Sequence, residues 1–405
     1  MESIQPCEWA EARRRAGSFR RRLEPVVATP EEAVGGVLAE PLLARTDMPA
    51  YDVATTDGWA VAGPGPWRVR RPTRRDMLAS MEYHDSSEHV LLRDGQAAPA
   101  SAGEPLGQGV TGVVAANRCR VEGELLKLAG PGGTGTSGSS YIEPGSGVRA
   151  RGSDAGLGSE LLPAGERVTP AVAALAASAG NDEVSMIPMP SVGLIRIGTD
   201  ALDRGVPRAG LARDAVSPAL PGWIAGLRGR AQPARWVTTG DAELIEEIDD
   251  VIADVIVTTG LSSDAALRRV LQGMHADVLV DGVLGKPGRF MLLAQLQDGR
   301  PLIHCGGSPA DAIATLVTLL SPILAALTGL PDPANHERMN EPLPGDRHLT
   351  SLLPVTTTGA RTAGVSLVRP GGPGGLFALS RATGLAVIPP GGARLNESVT
   401  ILPLP

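Results

Sequence analysis

VGLIRIG (192–198), DVIVTTG (254–260), DVLVDGV (277–283) and PLIHCGG (301–307) are the four runs that decide the fold. Each is short, apolar, rich in β-branched residues and bounded by glycine, so each reads as a buried strand. Helix-like stretches alternate with them, at 219–227, 242–252, 265–274 and 310–327. This βαβα rhythm predicts a mostly parallel sheet covered by helices. In such sheets ligands gather at the carboxyl ends of the strands. The loops to watch are therefore 198–202, 260–264, 285–288 and 306–311.

Moving outward, the pattern changes on both sides. Downstream, the Pro-rich PDPANHERMNEPLPG (331–345) reads as a linker, and the alternating remainder carries no helix signal, which predicts a small all-β domain. Upstream, residues 47–141 read as short strands and turns, with a hairpin turn at Glu122 and Gly123 and a flexible PGGTGTSGSS (131–140). A helix over 169–178 is capped by Thr169, has Pro170 at its first position and stops at Gly180. TPEEAVGGVLAEPLLA (29–44) opens with equally good capping chemistry and is read as a helix that ends near Pro41. The first helix, 7–22, carries an arginine cluster that reads as a solvated face.

The whole-chain numbers exclude several functions. The chain has 405 residues, which predicts two to four domains. A net charge of −7 argues against nucleic-acid binding as the main task. Three scattered cysteines without CxxC spacing read as reduced thiols in a cytoplasmic protein, and the N-terminus shows no apolar signal segment. The apolar run 312–330 is broken by Thr315, Thr318, Ser321 and Pro322 and reads as a buried helix, not a membrane span.

Candidate chemistry lies in carboxylates beside glycine: Asp57, Asp154, Asp200 and Asp264. Such groups can bind a hard cation or accept a proton, and each also reads as a turn-capping aspartate. The six histidines, His304 among them, share no metal-ligand spacing. Lysine occurs only at Lys127 and Lys286, so Lys286 in LGKPGRF (284–290) suggests a need for a compact ammonium, suited to a phosphate or a thiolate. CGGSPAD (305–311) and TTGLSSDA (258–265) each lead a glycine–serine loop into a helix, where backbone N–H groups can hold an anion.

These motifs, in order, resemble the molybdopterin molybdenumtransferase (MoeA) family. MPAYDVATTDGWAV (48–61) is similar to its signature element, and VRARGSDAGLGSELLPAGERVTP (148–170) to the block that follows. DVIVTTG, GKPGRF, GGSPADA and FALSRATGLAVIPPGG (377–392) fall where later family elements stand.

The resemblance implies a multidomain α/β plus β protein, an L-shaped homodimer. Its layout would be an elongated N-terminal domain (1–46 and 145–180), a β-rich domain (47–144), a central parallel α/β domain like molybdopterin adenylyltransferase (181–330), and a C-terminal β-barrel-like domain (331–405). It also implies an enzyme of molybdenum cofactor biosynthesis that uses Mg²⁺ to insert molybdate into adenylylated molybdopterin and release AMP. Other proteins of that biosynthesis are possible partners; nucleic acid and membrane are not. On this reading Asp57, Asp200 and Asp264 are catalytic, and Asp57, Asp154 and Asp200 hold the metal. Gly260, Ser262, Ser263, Lys286, Pro287, Gly306, Gly307, Ser308 and Pro309 bind the ligand.

Several positions depart from the family pattern. Ala102 stands for a threonine, Thr111 for an aspartate, Thr199 for an aspartate, Asp200 for a glutamate and Ser308 for an asparagine. Asp311 replaces a serine and brings a negative charge to a helix start, which is expected to weaken phosphate binding there. Three readings stay open: a divergent enzyme, a catalytically impaired homologue acting as a molybdopterin-binding or scaffold protein, and, weakest, a generic α/β protein of unrelated function.

Overall fold

The computed structural model describes residues 5–19, 21–70, 91–129, 141–198, 201–208, 212–238, 240–260, 264–306, 308–357, 364–369 and 375–405. The chain divides into two compact units: residues 1–26, 35–39 and 185–405 form the first, and residues 27–34 and 40–184 the second.

In the first unit, helix α1 (Trp9–Gly17) precedes a mixed α/β layer. That layer runs β1 (Ser191–Ile197), α2 (Leu220–Gly226), β2 (Arg230–Ala231), β3 (Arg235–Val237), α3 (Asp241–Asp250), β4 (Val255–Thr259), α4 (Asp264–Gly273) and β5 (Asp277–Asp281). Next come β6 (Gly285–Lys286), which leaves the layer, then β7 (Leu292–Gln295), β8 (Pro301–Cys305) and α5 (Pro309–Thr315). In the sheet, β2 and β3 both pair with β1, and the order continues β1-β4-β8-β7-β5. The β1–β4 and β4–β8 pairs are parallel, whereas β7 runs antiparallel to β8 and β5 antiparallel to β7.

All four runs read as strands are strands, and β7 is an addition. DVLVDGV sits at the sheet edge, reached through a β7–β8 hairpin whose turn uses Gly299 at φ +85°. The central strands are buried end to end because helices cover both faces. Alternate side chains make two cores. Val192, Leu194, Val255, Val257 and Ile303 pack with α1, α2 and the long C-terminal helix. Ile195, Ile197, Ile256 and Leu302 pack with Leu244, Ile248, Leu267 and Leu271 of α3 and α4.

That long helix continues from α5 through a π-turn stretch, Leu316–Leu320, into α6 (Ser321–Thr328). Its 20 residues are long and apolar enough to cross a membrane, but 83% of the most apolar window is buried inside the protein, as a core helix requires. The π stretch also corrects the reading of α1 as a solvated face. Arg13 is buried, donates to the carbonyl oxygens of Val317 and Thr318, and pairs with Asp332. Arg15 donates to Leu279 O at 2.6 Å. Arg13 thus supplies donors to carbonyls of the π stretch, and Arg15 supplies one to the edge strand β5.

The C-terminal part of this unit forms a second large sheet. β9 (Asn335–Arg338), β10 (Thr350–Thr357), β11 (Val365–Leu367), β12 (Gly384–Ile388) and β13 (Ser398–Pro403) form it together with β6, in the order β6-β10-β12-β13-β9, with β11 on β10. The expectation of a region without helix is corrected here: α7 (Leu376–Leu379) is a single helical turn just before β12. Four residues carry too little periodicity to register as a helix pattern.

The second unit holds a six-stranded sheet in the order 112–115, 58–61, 96–100, 67–69, 125–128, 119–122. The hairpin between its last two strands closes on the Glu122–Leu125 pair, so its turn residues are Gly123 (φ +63°) and Glu124, one step later than read. Helix Pro170–Ser178 forms as expected, with Val172 N–H donating to Thr169 Oγ1 at 3.2 Å.

The helix expected from Thr29 to about Pro41 does not form. Its capping box does: Thr29 Oγ1 donates to Glu32 Oε2, and Glu32 N–H returns to Thr29 Oγ1. One turn follows, with Ala33 N–H bonded to Thr29 O, and it breaks at Gly35, whose φ is +96°. Val37–Leu38 and Leu42–Leu43 then become short strands. A good cap cannot carry a helix across adjacent glycines.

Candidate functional site

Two helix starts meet the carboxyl ends of β4 and β8. The first is α4, which opens on Asp264 just beyond the β4 residues Thr258 and Thr259, both buried. A carboxylate in a first helical turn is favoured by the helix dipole. Asp264 is further held by the β8 residue His304, whose Nε2–H donates to Oδ1 at 2.9 Å. On the ring's other side, Nδ1 lies 2.9 Å from Thr258 Oγ1, its register partner on β4. The hydrogen bond from His304 keeps the Asp264 carboxyl below its usual range, helped by the charges of His304 and Arg268 against partial desolvation. Asp264 is thus a charged acceptor at neutral pH, not an acid. Arg268 in turn forks onto Asp281, with NH2 2.7 Å from Oδ1.

The second start is α5. Ser308 caps it, accepting from Asp311 N–H at 3.1 Å, and its hydroxyl donates to Asp311 Oδ2. The other oxygen, Asp311 Oδ1, accepts from Gly288 N–H at 2.7 Å. The charge expected to repel phosphate is therefore the helix's own internal anion. It closes the first turn and ties the Lys286–Gly288 loop to it.

Lys286 leaves the α/β layer by pairing Gly285 and Lys286 with Thr350 and Ser351 of β10. It is exposed and borders a cavity of about 650 Å³ together with Pro287, Ala310, Ser351 and Leu352. The volume suits a cofactor-sized molecule. Asp346 lies on the same rim. N–H groups of His348 and Leu349 hold its carboxyl below the usual range, with the charges of His348 and Lys286 adding to the effect.

The structure thus gathers Gly260, Asp264, Gly306, Ser308 and Pro309 at strand ends of one sheet, with Lys286 and Pro287 in the loop tied to α5. Thr199, Asp200, Ser262, Ser263 and Gly307 lie outside the described residues.

Asp57 and Asp154 belong to the second unit. Asp57 is exposed, and its Oδ1 accepts from Ala102 N–H at 2.9 Å, a bond to a loop 45 residues away and not to its own turn. Asp154 is paired by both carboxylate oxygens with Arg149. Neighbouring Asp47 accepts from Leu157 N–H and from Arg151, which hold it below the usual carboxylate range. Thr111 has become a strand-end clip, donating to Val61 O and accepting from Gly63 N–H, both at 3.1 Å. Among the described residues no three His, Cys, Asp or Glu side chains converge on a cation position. With Asp154 neutralised by Arg149, the described donors do not fit a Mg²⁺ site.

Two site-shaping residues escaped the reading of the sequence. His304 shares no ligand spacing, and only its place inside a buried apolar strand marks it. Arg196 carries the same signal in VGLIRIG: it is buried, pairs with Asp203 and Asp214, donates to Ala201 O, and stacks 3.8 Å from the Trp236 ring centroid. It thereby anchors the segment that leaves β1.

Comparison with known proteins bears on this architecture. Residues 7–180 match the MoeA N-terminal region (domain I and II). Molybdopterin molybdenumtransferase 2 of Mycobacterium tuberculosis (strain ATCC 25618 / H37Rv) is 26% identical over 357 residues, covering 84% of this chain and 82% of the relative. The molybdopterin molybdenumtransferase of Bacillus subtilis (strain 168) is also 26% identical, over 80% and 75% of the two chains. In fold, a molybdopterin biosynthesis MoeA protein of Pyrococcus horikoshii OT3 aligns with a TM-score of 0.71 over 98% of this chain and 99% of its own, at 18% identity. The order of motifs and the N-terminal match agree in likening the chain to the molybdopterin molybdenumtransferases (MoeA family), and the solved MoeA structures share its fold.

Proposed function

We propose that this chain acts in molybdenum cofactor biosynthesis as a molybdopterin molybdenumtransferase, taking adenylylated molybdopterin and molybdate as substrates and releasing AMP. The observation that carries the reading is the cavity of about 650 Å³ beside Lys286 and Pro287, next to the start of α5. Lys286 offers an ammonium to the phosphate or dithiolene of the ligand. Asp264, kept ionised by His304, accepts a hydrogen bond from the ligand or from water. Loss of AMP breaks one P–O–P linkage, with a water oxygen entering at phosphorus and its proton leaving to solvent or a base. The Mg²⁺ implied by the family resemblance, through Asp57, Asp154 and Asp200, has no matching donor set among the described residues, so no step is routed through it. The chain works as a cytoplasmic homodimer, checked by light scattering at micromolar concentration.

A second reading is favoured by one feature. At α5 the helix start is occupied by the Asp311 carboxylate, whose charge weakens phosphate binding there and so favours a homologue impaired in handling the phosphate-bearing ligand. One titration separates the two readings: molybdopterin and its adenylylated form are added with and without Mg²⁺ while AMP is measured. AMP release with molybdate uptake supports the enzyme. Binding without AMP supports the scaffold, and failure of both ligands to bind defeats both.

A further inference from the structure

The imidazole of His304 is 1% exposed and stands at the end of β8, yet neither the family resemblance nor the expected chemistry gives it a part. Its two nitrogens are held from opposite sides. Thr258 Oγ1 on the adjacent strand lies 2.9 Å from Nδ1, and Asp264 Oδ1 at the start of α4 lies 2.9 Å from Nε2. Both strand partners are buried and in register, so the ring cannot turn without breaking both contacts. An ionised carboxylate only accepts, which fixes a proton on Nε2; in the neutral ring the Thr258 hydroxyl then donates to Nδ1. The result is a line from sheet interior to helix start: hydroxyl, imidazole, carboxylate. Its outer end, the Asp264 side chain, is 34% exposed and so is within reach of a ligand or water.

We propose that His304 is a positioning residue: held by Thr258, it fixes the Asp264 carboxylate in one orientation and keeps it a charged acceptor at the mouth of the β4–α4 loop. The proposal rests on Asp264 belonging to the ligand site, as the functional reading has it. Among the described residues two titratable groups face Asp264: His304 from β8, and Arg268 one turn along α4. Arg268 is itself paired with Asp281 of β5. Because Arg268 is forked onto Asp281, the direct hydrogen bond to Asp264 comes from His304, in agreement with that bond being the foremost cause of its low pKa.

The test follows the Asp264 carboxyl by ¹³C NMR in the full chain, assigned by Asp264→Asn, together with the ¹⁵N signature of the His304 ring. In the wild type the carboxyl should titrate below the ordinary value of about 3.9, and at pH 8 the ring should carry its proton on Nε2. In His304→Ala the carboxyl should return to the ordinary range. His304→Gln, whose amide can reach where Nε2 stood, should restore the low midpoint, a rescue that a space-filling role would not give. Thr258→Val, which removes only the far anchor, should leave the protein folded and the ring a mixture of tautomers. An ordinary Asp264 midpoint in the wild type overturns the proposal whether or not any variant folds, as does an unchanged midpoint in folded His304→Ala. AMP release is measured in parallel. Wild type with a low Asp264 midpoint but no AMP release refutes the functional reading alone. AMP release whose acid limb does not move in His304→Ala refutes the positioning role alone.

Discussion

The helix starts at α4 and α5 are built from the same parts and do opposite things. Each follows a parallel strand, each opens after a glycine–serine loop, and each carries an aspartate in its first turn. At α5 the aspartate turns inward: Asp311 takes hydrogen bonds from Ser308 and Gly288, which satisfies the helix start from within. At α4 the aspartate is braced from behind by a strand side chain, and part of its carboxylate stays exposed. One start is a structural joint and the other a presented charge. The partner side chain, not the loop motif, makes the difference, so a phosphate-loop pattern alone does not establish an anion site.

The widest separation should appear on removing the inward carboxylate. Asp311→Ala strips two charge-assisted hydrogen bonds at once and frees the Lys286–Gly288 loop from α5. Such bonds contribute about 1.5–3 kcal/mol each before relaxation, so a loss of about 3 kcal/mol in urea unfolding is expected. A loss comparable to that of Asp264→Ala would erase the distinction between joint and presented charge.

Lys286→Ala tests whether the loop tied to the joint serves the ligand. If its ammonium makes one charge-assisted bond to a phosphate or thiolate, binding of adenylylated molybdopterin should weaken by about 1.5–3 kcal/mol. Lys286 is exposed, so the unfolding midpoint should hardly move. Unchanged affinity by calorimetry would remove Lys286 from the site.

Ser308→Ala removes the α5 cap but leaves the Gly288–Asp311 bond. A cost of about 1 kcal/mol is the usual worth of such a cap, read from the same urea transitions. A loss as large as that of Asp311→Ala would mean that the two residues act as one unit.

How much of this was legible beforehand depends on where the signal lies. The four sheet runs announce themselves because parallel strands buried on both faces must be continuously apolar. β7 was missed because Leu292–Gln295 sits between the Lys286–Gly288 loop and a tight Gly299 turn, with too few residues for a pattern of its own. Residues 29–44 misled because the cap was real and the glycines behind it decided the outcome. At the site, Asp264, Lys286 and Ser308 could be named from their loops, but what each carboxylate touches could not. The His304–Asp264 bond depends on the register of β8 against β4, which sets His304 opposite Thr258, 46 residues away, and on α4 starting at Asp264 just beyond β4. Arg13 and Arg196 show the same limit. Arg196, in an apolar run, signals a buried partner without saying which, while Arg13, in a charge run, gives no sign of burial; the partners are two aspartates in the first case and π-stretch carbonyls with Asp332 in the second.

The smallest effect expected is the dependence of stability on acid at α4, and its sign follows from the lowered carboxyl. A group whose pKa is lower folded than unfolded stabilises the fold fully above its unfolded value, about 3.9 for an aspartate. That contribution disappears as the pH falls through the folded value. Asp264, held down first by the His304 hydrogen bond, is such a group. Asp264→Asn keeps an acceptor for Nε2–H but cannot carry the charge. The stability gap between wild type and Asp264→Asn should therefore be flat from pH 7 to about 5. It should narrow only below about 4, where the wild-type carboxylate takes up its proton. Because the side chain is partly exposed, solvent screening keeps this gap small. Urea midpoints for the two proteins at matched ionic strength across that range would settle it. A gap that widened toward low pH would mean that the folded carboxyl lies above its unfolded value, and Asp264 would then be a protonated donor instead of a presented charge.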